Sequence, residues 1–206
     1  MATLNQHALW MLAVGLAGGI WWWSQQPPAA LRPDDGVLVA QQPVQEAVLE
    51  TAAIPHGGYT LLPLAQFEVR ARLLSVAWYR GGREAQLAPL DFALGWGPMS
   101  DNRLLDQLRF DHSRRFFLWR WPAQPPADPD LITRSAANVH LIPANPAILS
   151  QLRRLGPGRI VRLRGLLVEA RSADGWLWRS SLSRSDSGAG ACELLLVQDV
   201  DAELPR

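Results

Sequence analysis

The chain has 206 residues and a mass of 22.8 kDa, which suits one domain plus attachments. Its formal net charge is +1, every basic side chain other than histidine is Arg, and Cys192 is the single cysteine. That excludes an intrachain disulfide, a Cys-rich metal centre and, at 48% apolar and 19% charged residues, a disordered chain.

No charged side chain precedes Arg32, and Ala8 to Trp23 is apolar throughout. A spanning helix needs about 20 apolar residues, and the block Trp21-Trp22-Trp23 suits the membrane–water interface. A cleaved signal peptide needs a basic start and small residues at its cleavage site; here Trp stands in their place. Residues 1–25 therefore read as one uncleaved transmembrane helix, making the membrane a partner through residues 8–23. Gly15 and Gly19 form a GxxxG spacing that suits a homodimer, although glycines are common in such helices. The expected placement is a single-pass protein of the inner membrane with its C-terminal domain in the periplasm.

Residues 26–60 read as a Pro/Gln-rich linker, with Pro27, Pro28, Pro33, Pro43 and Pro55 among Gln41, Gln42 and Gln45. Within it, Val44, Val48 and Leu49 share one face of a short helix predicted over residues 44–54.

Residues 61–206 read as the folded domain, and its signals are mainly β. Phe67, Val69, Ala71 and Leu73 alternate with Glu68, Arg70 and Arg72, the pattern of a half-buried strand. A turn follows at Arg80 to Arg83. Residues 108–121 give two short strands around Ser113-Arg114, and Pro122 to Pro129 mark a loop. One helix is punctuated by Asn145 as cap, Pro146 at its first position and Gly156-Pro157 after its end. Arg159 to Ala170, Trp176 to Leu182 and Cys192 to Val197 read as strands, separated by Asp174-Gly175 and the loop Ser183 to Gly190. The expected fold class is mainly β, a small barrel with one short helix behind a transmembrane helix. That helix and the following run Gly158 to Val168 resemble an oligonucleotide/oligosaccharide-binding (OB) barrel.

Four groups of residues can carry chemistry. His140 and Cys192 lie on or beside predicted strands, and a Cys nucleophile needs a nearby base to become thiolate. The order His then Cys behind an N-terminal anchor resembles a sortase transpeptidase, which implies a Cys–His transpeptidase or hydrolase with Arg179 or Arg184 steadying an oxyanion. A lone cysteine beside an apolar strand is more often an ordinary small core residue. Trp96, between Gly95 and Gly97 and flanked by Asp91 and Asp101, is either a stacking platform for a ligand or a buried anchor. Arg114, Arg115 and Arg120 interleave with Phe116, Phe117, Trp119 and Trp121, which suits an anionic glycan, a lipid headgroup or single-stranded nucleic acid, or simply a wet strand face. From residue 54 the chain carries 19 Arg against 15 acids, too mild a bias for a dedicated nucleic-acid surface. Finally, Arg179-Ser180-Ser181 with Arg184 to Gly188 can cradle an anion or form a polar hairpin end. No metal-ligand spacing or nucleotide motif is present, so neither metal nor cofactor is expected.

Three blocks, DFALGWGPMSD at 91–101, SAANVHLIPA at 135–144 and WRSSLSRSDSGAGACE at 178–193, together resemble an uncharacterised family of bacterial membrane-anchored proteins. The resemblance implies that these segments form one site or one packing unit. The expectation for function is an extracytoplasmic binding or accessory protein of the cell envelope, with an envelope protein as partner. The alternatives are the Cys–His enzyme and an OB-like binder of single-stranded nucleic acid.

Overall fold

The computed structural model describes residues 9–16, 18, 28–48, 52–183 and 190–203. Residues 9–16 are helical. Among the described residues no helix is long and apolar enough to cross a membrane. Gly19, the Trp21-Trp22-Trp23 block and Arg184 lie outside the described residues.

The domain is mainly β, with ten strands among the described residues: β1 (Val44–Ala47), β2 (Ile54–His56), β3 (Tyr59–Trp78), β4 (Leu90–Gly95), β5 (Arg109–Ser113), β6 (Phe116–Arg120), β7 (Ala136–Pro143), β8 (Ile160–Arg171), β9 (Leu177–Arg179) and β10 (Glu193–Glu203). Eight of them form one mixed sheet that is partly closed into a ring. Its path runs β3–β4–β7–β10–β8 and returns to β3. Every pairing in the ring is antiparallel except β7 with β10, which is parallel. β5 and β6 form a separate two-stranded hairpin.

β3 is the strand that allows closure. One edge pairs with β8 from Thr60 to Arg72, while the other serves β2, β1 and β4 in turn. Register shifts between Pro63 and Ala65 and between Leu73 and Ser75 mark irregularities that bend a strand of this length. The predicted alternation at residues 67–73 is therefore the middle of a much longer strand. The short helix expected over residues 44–54 is not formed. Val44–Ala47 instead lies along Glu68 to Ala65 as an edge strand, because a vacant stretch of β3 edge offers ladder hydrogen bonds that an isolated short helix lacks.

Alternation places Phe67, Val69, Ala71 and Leu73 inside the ring with Leu90, Phe92 and Leu94 of β4, Val139 and Leu141 of β7, Val161, Leu163 and Leu167 of β8, and Leu195 and Val197 of β10. The helix Pro146–Leu152 adds Ile148 and Leu152 to this core. Its predicted cap is present: Asn145 Oδ1 accepts from the amides of Ala147 and Ile148 at 2.9 and 3.0 Å. Within residues 61–206, where one helix was expected, the described residues form three further short α-helices: Arg83–Leu87, Asn102–Leu105 and Pro129–Arg134. Gly165 of β8 allows the close approach of β10, since a Cβ there would sit 1.9 Å from the Leu196 carbonyl oxygen.

Residues 28–48, expected as part of an extended spacer, run along the domain instead. The Leu31 amide donates to the Pro157 carbonyl at 2.8 Å. The amides of Leu38 and Val39 both donate to Ser100 Oγ at 3.1 Å, and Val39 is buried in the barrel core. Asn102 Nδ2 donates to the Pro33 carbonyl at 2.6 Å. The prolines here suit an irregular strap whose backbone groups are met by side chains of the barrel.

Candidate functional site

The best-built polar cluster lies on the outer face of β4 and β7. Register puts Asp91 opposite His140 and Ala93 opposite Asn138. Because Leu90, Phe92, Val139 and Leu141 point into the ring, Asp91, Asn138 and His140 point out of it. All three are nonetheless buried. The cover comes from the β5–β6 hairpin on one side and Trp178 of β9 on the other.

The hairpin turns through Arg114 and Arg115, with φ of 50° and 71°. Ser113 and Phe116 close a two-residue loop of the primed type, which calls for left-handed residues and usually takes Asn-Gly. An Arg in that conformation costs on the order of 1 kcal/mol. Arg115 is held there by several contacts at once. Its amide donates to Tyr79 Oη at 3.0 Å, and its carbonyl accepts from Asn138 Nδ2 at 2.8 Å. Its guanidinium donates to Asp91 Oδ1 at 2.6 Å, and lies 3.7 Å from the Tyr79 ring centre and 5.6 Å from that of Trp178. The Trp178 ring in turn lies 4.9 Å from the His140 imidazole.

Asp91 has no solvent exposure and anchors the cluster. His140 Nδ1 stands 2.9 Å from the same Oδ1, at an angle that makes no hydrogen bond. His112, on β5, packs its ring edge-to-face on Phe117 with centres 5.6 Å apart. Burial pushes its pKa down, opposed by the charge of Asp91. Burial raises the Tyr79 phenol, and the Asp91 carboxylate adds to that. Asn138 stands as a side-chain hydrogen-bond partner of His112 and Asp91 as one of Tyr79, while His140 Nδ1 has no hydrogen-bond partner among the described residues.

Cys192 comes to the same place. Its Sγ lies 3.5 Å from Asn138 Nδ2 and 3.8 Å from the Arg115 carbonyl oxygen. An amide and a carbonyl do not take up a thiol proton, so these contacts do not generate thiolate. The β7–β10 register sets Leu194, not Cys192, opposite His140. Arg179 is occupied elsewhere: its Nη1 donates to Glu169 Oε2 at 2.5 Å, and Arg171 Nε donates to Glu169 Oε1 at 2.6 Å. These two guanidiniums hold the Glu169 carboxyl below its usual range.

Trp96 packs in the barrel core at 2% exposure, with its amide donating to the Ser135 carbonyl at 2.9 Å. In this conformation its ring anchors the start of the long β4–β7 connection and offers no face for stacking. Trp119 is half-buried against Phe117, with ring centres 5.8 Å apart, while Arg120 is exposed opposite Arg109. Among the described residues no group of His, Cys, Asp and Glu side chains is arranged to hold a metal ion.

Asp91 of block 91–101, Asn138 and His140 of block 135–144, and Trp178 and Cys192 of block 178–193 thus gather about Arg115, a residue from outside all three. Sequence reasoning placed Arg115 in a basic, aromatic strand region and passed over His112, Tyr79 and Asn138. The available signal was two Arg residues in a turn that sterically favours Asn and Gly. A separate groove of about 410 Å³ lies between β1, β3 and β8, but its cation Arg164 is paired with Asp199 and its Glu68 with Arg162. No protein-family model, curated protein or solved structure matches the chain.

Proposed function

We propose that this chain is a membrane-anchored binding or accessory protein of the bacterial cell envelope, with an OB-like barrel held outside the cytoplasm. The observation that carries the membrane part is the described stretch of helix at residues 9–16. Leu9, Trp10, Met11, Leu12, Val14 and Leu16 are each more than half exposed there. A helix greasy on every side has no stable place in water. The sequence around it supplies enough further apolar residues for a span.

The OB-like reading rests on connectivity. Numbering the ring strands β3, β4, β7, β8 and β10 from first to fifth gives the closed order 1-2-3-5-4-1, with strands 3 and 5 parallel and a helix between strands 3 and 4. β9 is an addition that pairs with β8 beyond the end of β10, which accounts for the extra strand after the helix. In such barrels the outer face of the second and third strands takes extended ligands. Here that face carries Asp91, Asn138 and His140 under the chain's own hairpin. This arrangement supports a protein-docking or accessory role over binding of single-stranded nucleic acid.

Membrane fractionation tests the reading. The full chain should stay in the pellet after alkaline carbonate extraction, a form lacking residues 1–27 should not, and alkaline phosphatase fused after Arg206 should be active. Release of the full chain by carbonate, or an inactive fusion, overturns the corresponding part.

A further inference from the structure

We infer that the loop following the helix Pro146–Leu152, carrying Arg153, Arg154 and Arg159, rests directly on anionic phospholipid headgroups. This rests on the anchoring proposed above and adds which surface of the barrel meets the membrane.

The first observation is where the chain joins the barrel. Pro28 packs against Gly156, where an added Cβ would lie 2.8 Å from the Pro28 carbonyl oxygen. Leu31 packs against Gly158 more tightly still, at 1.9 Å, and its amide donates to the Pro157 carbonyl. Gly156-Pro157-Gly158 is therefore a notch shaped for the incoming segment. Gly158 also has φ of +91°, so two constraints fix a glycine there.

The second is length. Five residues lead from Trp23, the last of the apolar run, to Pro28. Fully extended they span about 17 Å. A barrel fastened at Pro28 cannot stand a domain's width away from the bilayer. The notch and its neighbours must lie in or beside the headgroup layer.

The third is the charge of those neighbours. Arg153 and Arg154 are exposed, Arg159 is half-buried, and among the described residues none of the three has a carboxylate partner. On the outer face of β3 and β8, by comparison, Arg70, Arg162 and Arg164 are paired with Glu203, Glu68 and Asp199, while Arg109 and Arg120 of the hairpin are, like the three here, without a carboxylate partner among the described residues. On the strap itself, Arg32 is paired with Asp106 and lies near Asp35, so it adds no open cation. The guanidinium of Arg153 lies 5.7 Å from the Trp78 ring centre, the kind of Arg–Trp pair that suits a membrane interface. Unpaired guanidiniums beside a membrane-tethered notch complement lipid phosphates, which take planar bidentate donors well.

Hydrogen–deuterium exchange on the full chain in lipid nanodiscs tests this. Residues 153–159 should exchange at least threefold more slowly in nanodiscs containing phosphatidylglycerol than in phosphatidylcholine nanodiscs. The Asp174-Gly175 turn, at the far end of β8, should not change. The double variant R153Q/R154Q should still enter nanodiscs and should lose the difference. Equal exchange in both lipids, with the chain incorporated, overturns this inference alone. Failure of the chain to enter nanodiscs overturns the anchoring and this inference together.

Discussion

Arg115 Nη1 lies 2.6 Å from Asp91 Oδ1, and that carboxylate has no contact with solvent. The pair joins the tip of a peripheral hairpin to the wall of the barrel. A buried charge whose partner is removed costs about 3 kcal/mol or more, because the remaining ion is desolvated without compensation. Asp91→Asn is therefore expected to lower stability by about 3 kcal/mol in urea unfolding and to speed tryptic cleavage after Arg114. An Asp91→Asn chain as stable and as protease-resistant as the parent would show that the hairpin is held by other contacts.

The two turn residues should respond in opposite directions to the same change. Arg114 adopts a left-handed conformation and its side chain makes no hydrogen bond or ion pair among the described residues, so Arg114→Gly relieves strain and should stabilise the domain by about 0.5–1 kcal/mol. Arg115→Gly relieves the same kind of strain but removes the guanidinium from Asp91 and Tyr79. It should destabilise. Chemical denaturation of the two variants side by side decides the matter, and matching signs would refute the account.

His112 gives the hairpin a pH dependence of predictable sign. Burial holds its folded-state pKa below the ordinary imidazole value. The unfolded chain therefore binds the extra proton first, and stability falls as pH drops below about 6.5. It keeps falling until the folded pKa is reached. Exchange or proteolysis at residues 109–120 should accelerate between pH 7.5 and 5.5, and His112→Phe should flatten that profile. A profile unchanged by the substitution would assign the effect to another group.

Gly165 separates close packing from backbone conformation. Gly165→Ala drives a Cβ to 1.9 Å from a backbone oxygen of β10, which cannot move without breaking the seam between β8 and β10. A loss above about 3 kcal/mol, or failure to fold, is expected. Gly175→Ala meets no atom but must adopt φ of +88°, so it should cost only about 1 kcal/mol. Similar thermal shifts for the two would contradict the distinction.

What the sequence disclosed was the local punctuation. The Asn145 cap, the Gly156-Pro157 stop, the alternation of residues 67–73 and 159–170 and the Asp174-Gly175 turn are all read from neighbours a few residues apart. The omissions share a different cause. Val44–Ala47 is a strand only because β3 has edge to spare, and residues 28–48 are docked only because Ser100 and Asn102 meet their backbone. His112 and Arg115 read as ordinary members of a half-exposed strand region. Their burial depends on where the hairpin lands, and the only local hint of it is the pair of Arg residues in a turn that favours Asn and Gly.

The double duty of β3 has a kinetic consequence. Thr60 stands opposite Arg171, over a hundred residues downstream, so the ring cannot be sealed until β8 exists. Until then a twenty-residue strand carries an open edge, the kind of template that other chains recruit into aggregates. Such non-local pairing makes for slow refolding, in milliseconds to seconds, with little native signal before β8 docks. A chain of this design therefore depends, during synthesis, on whatever shields its first long strand.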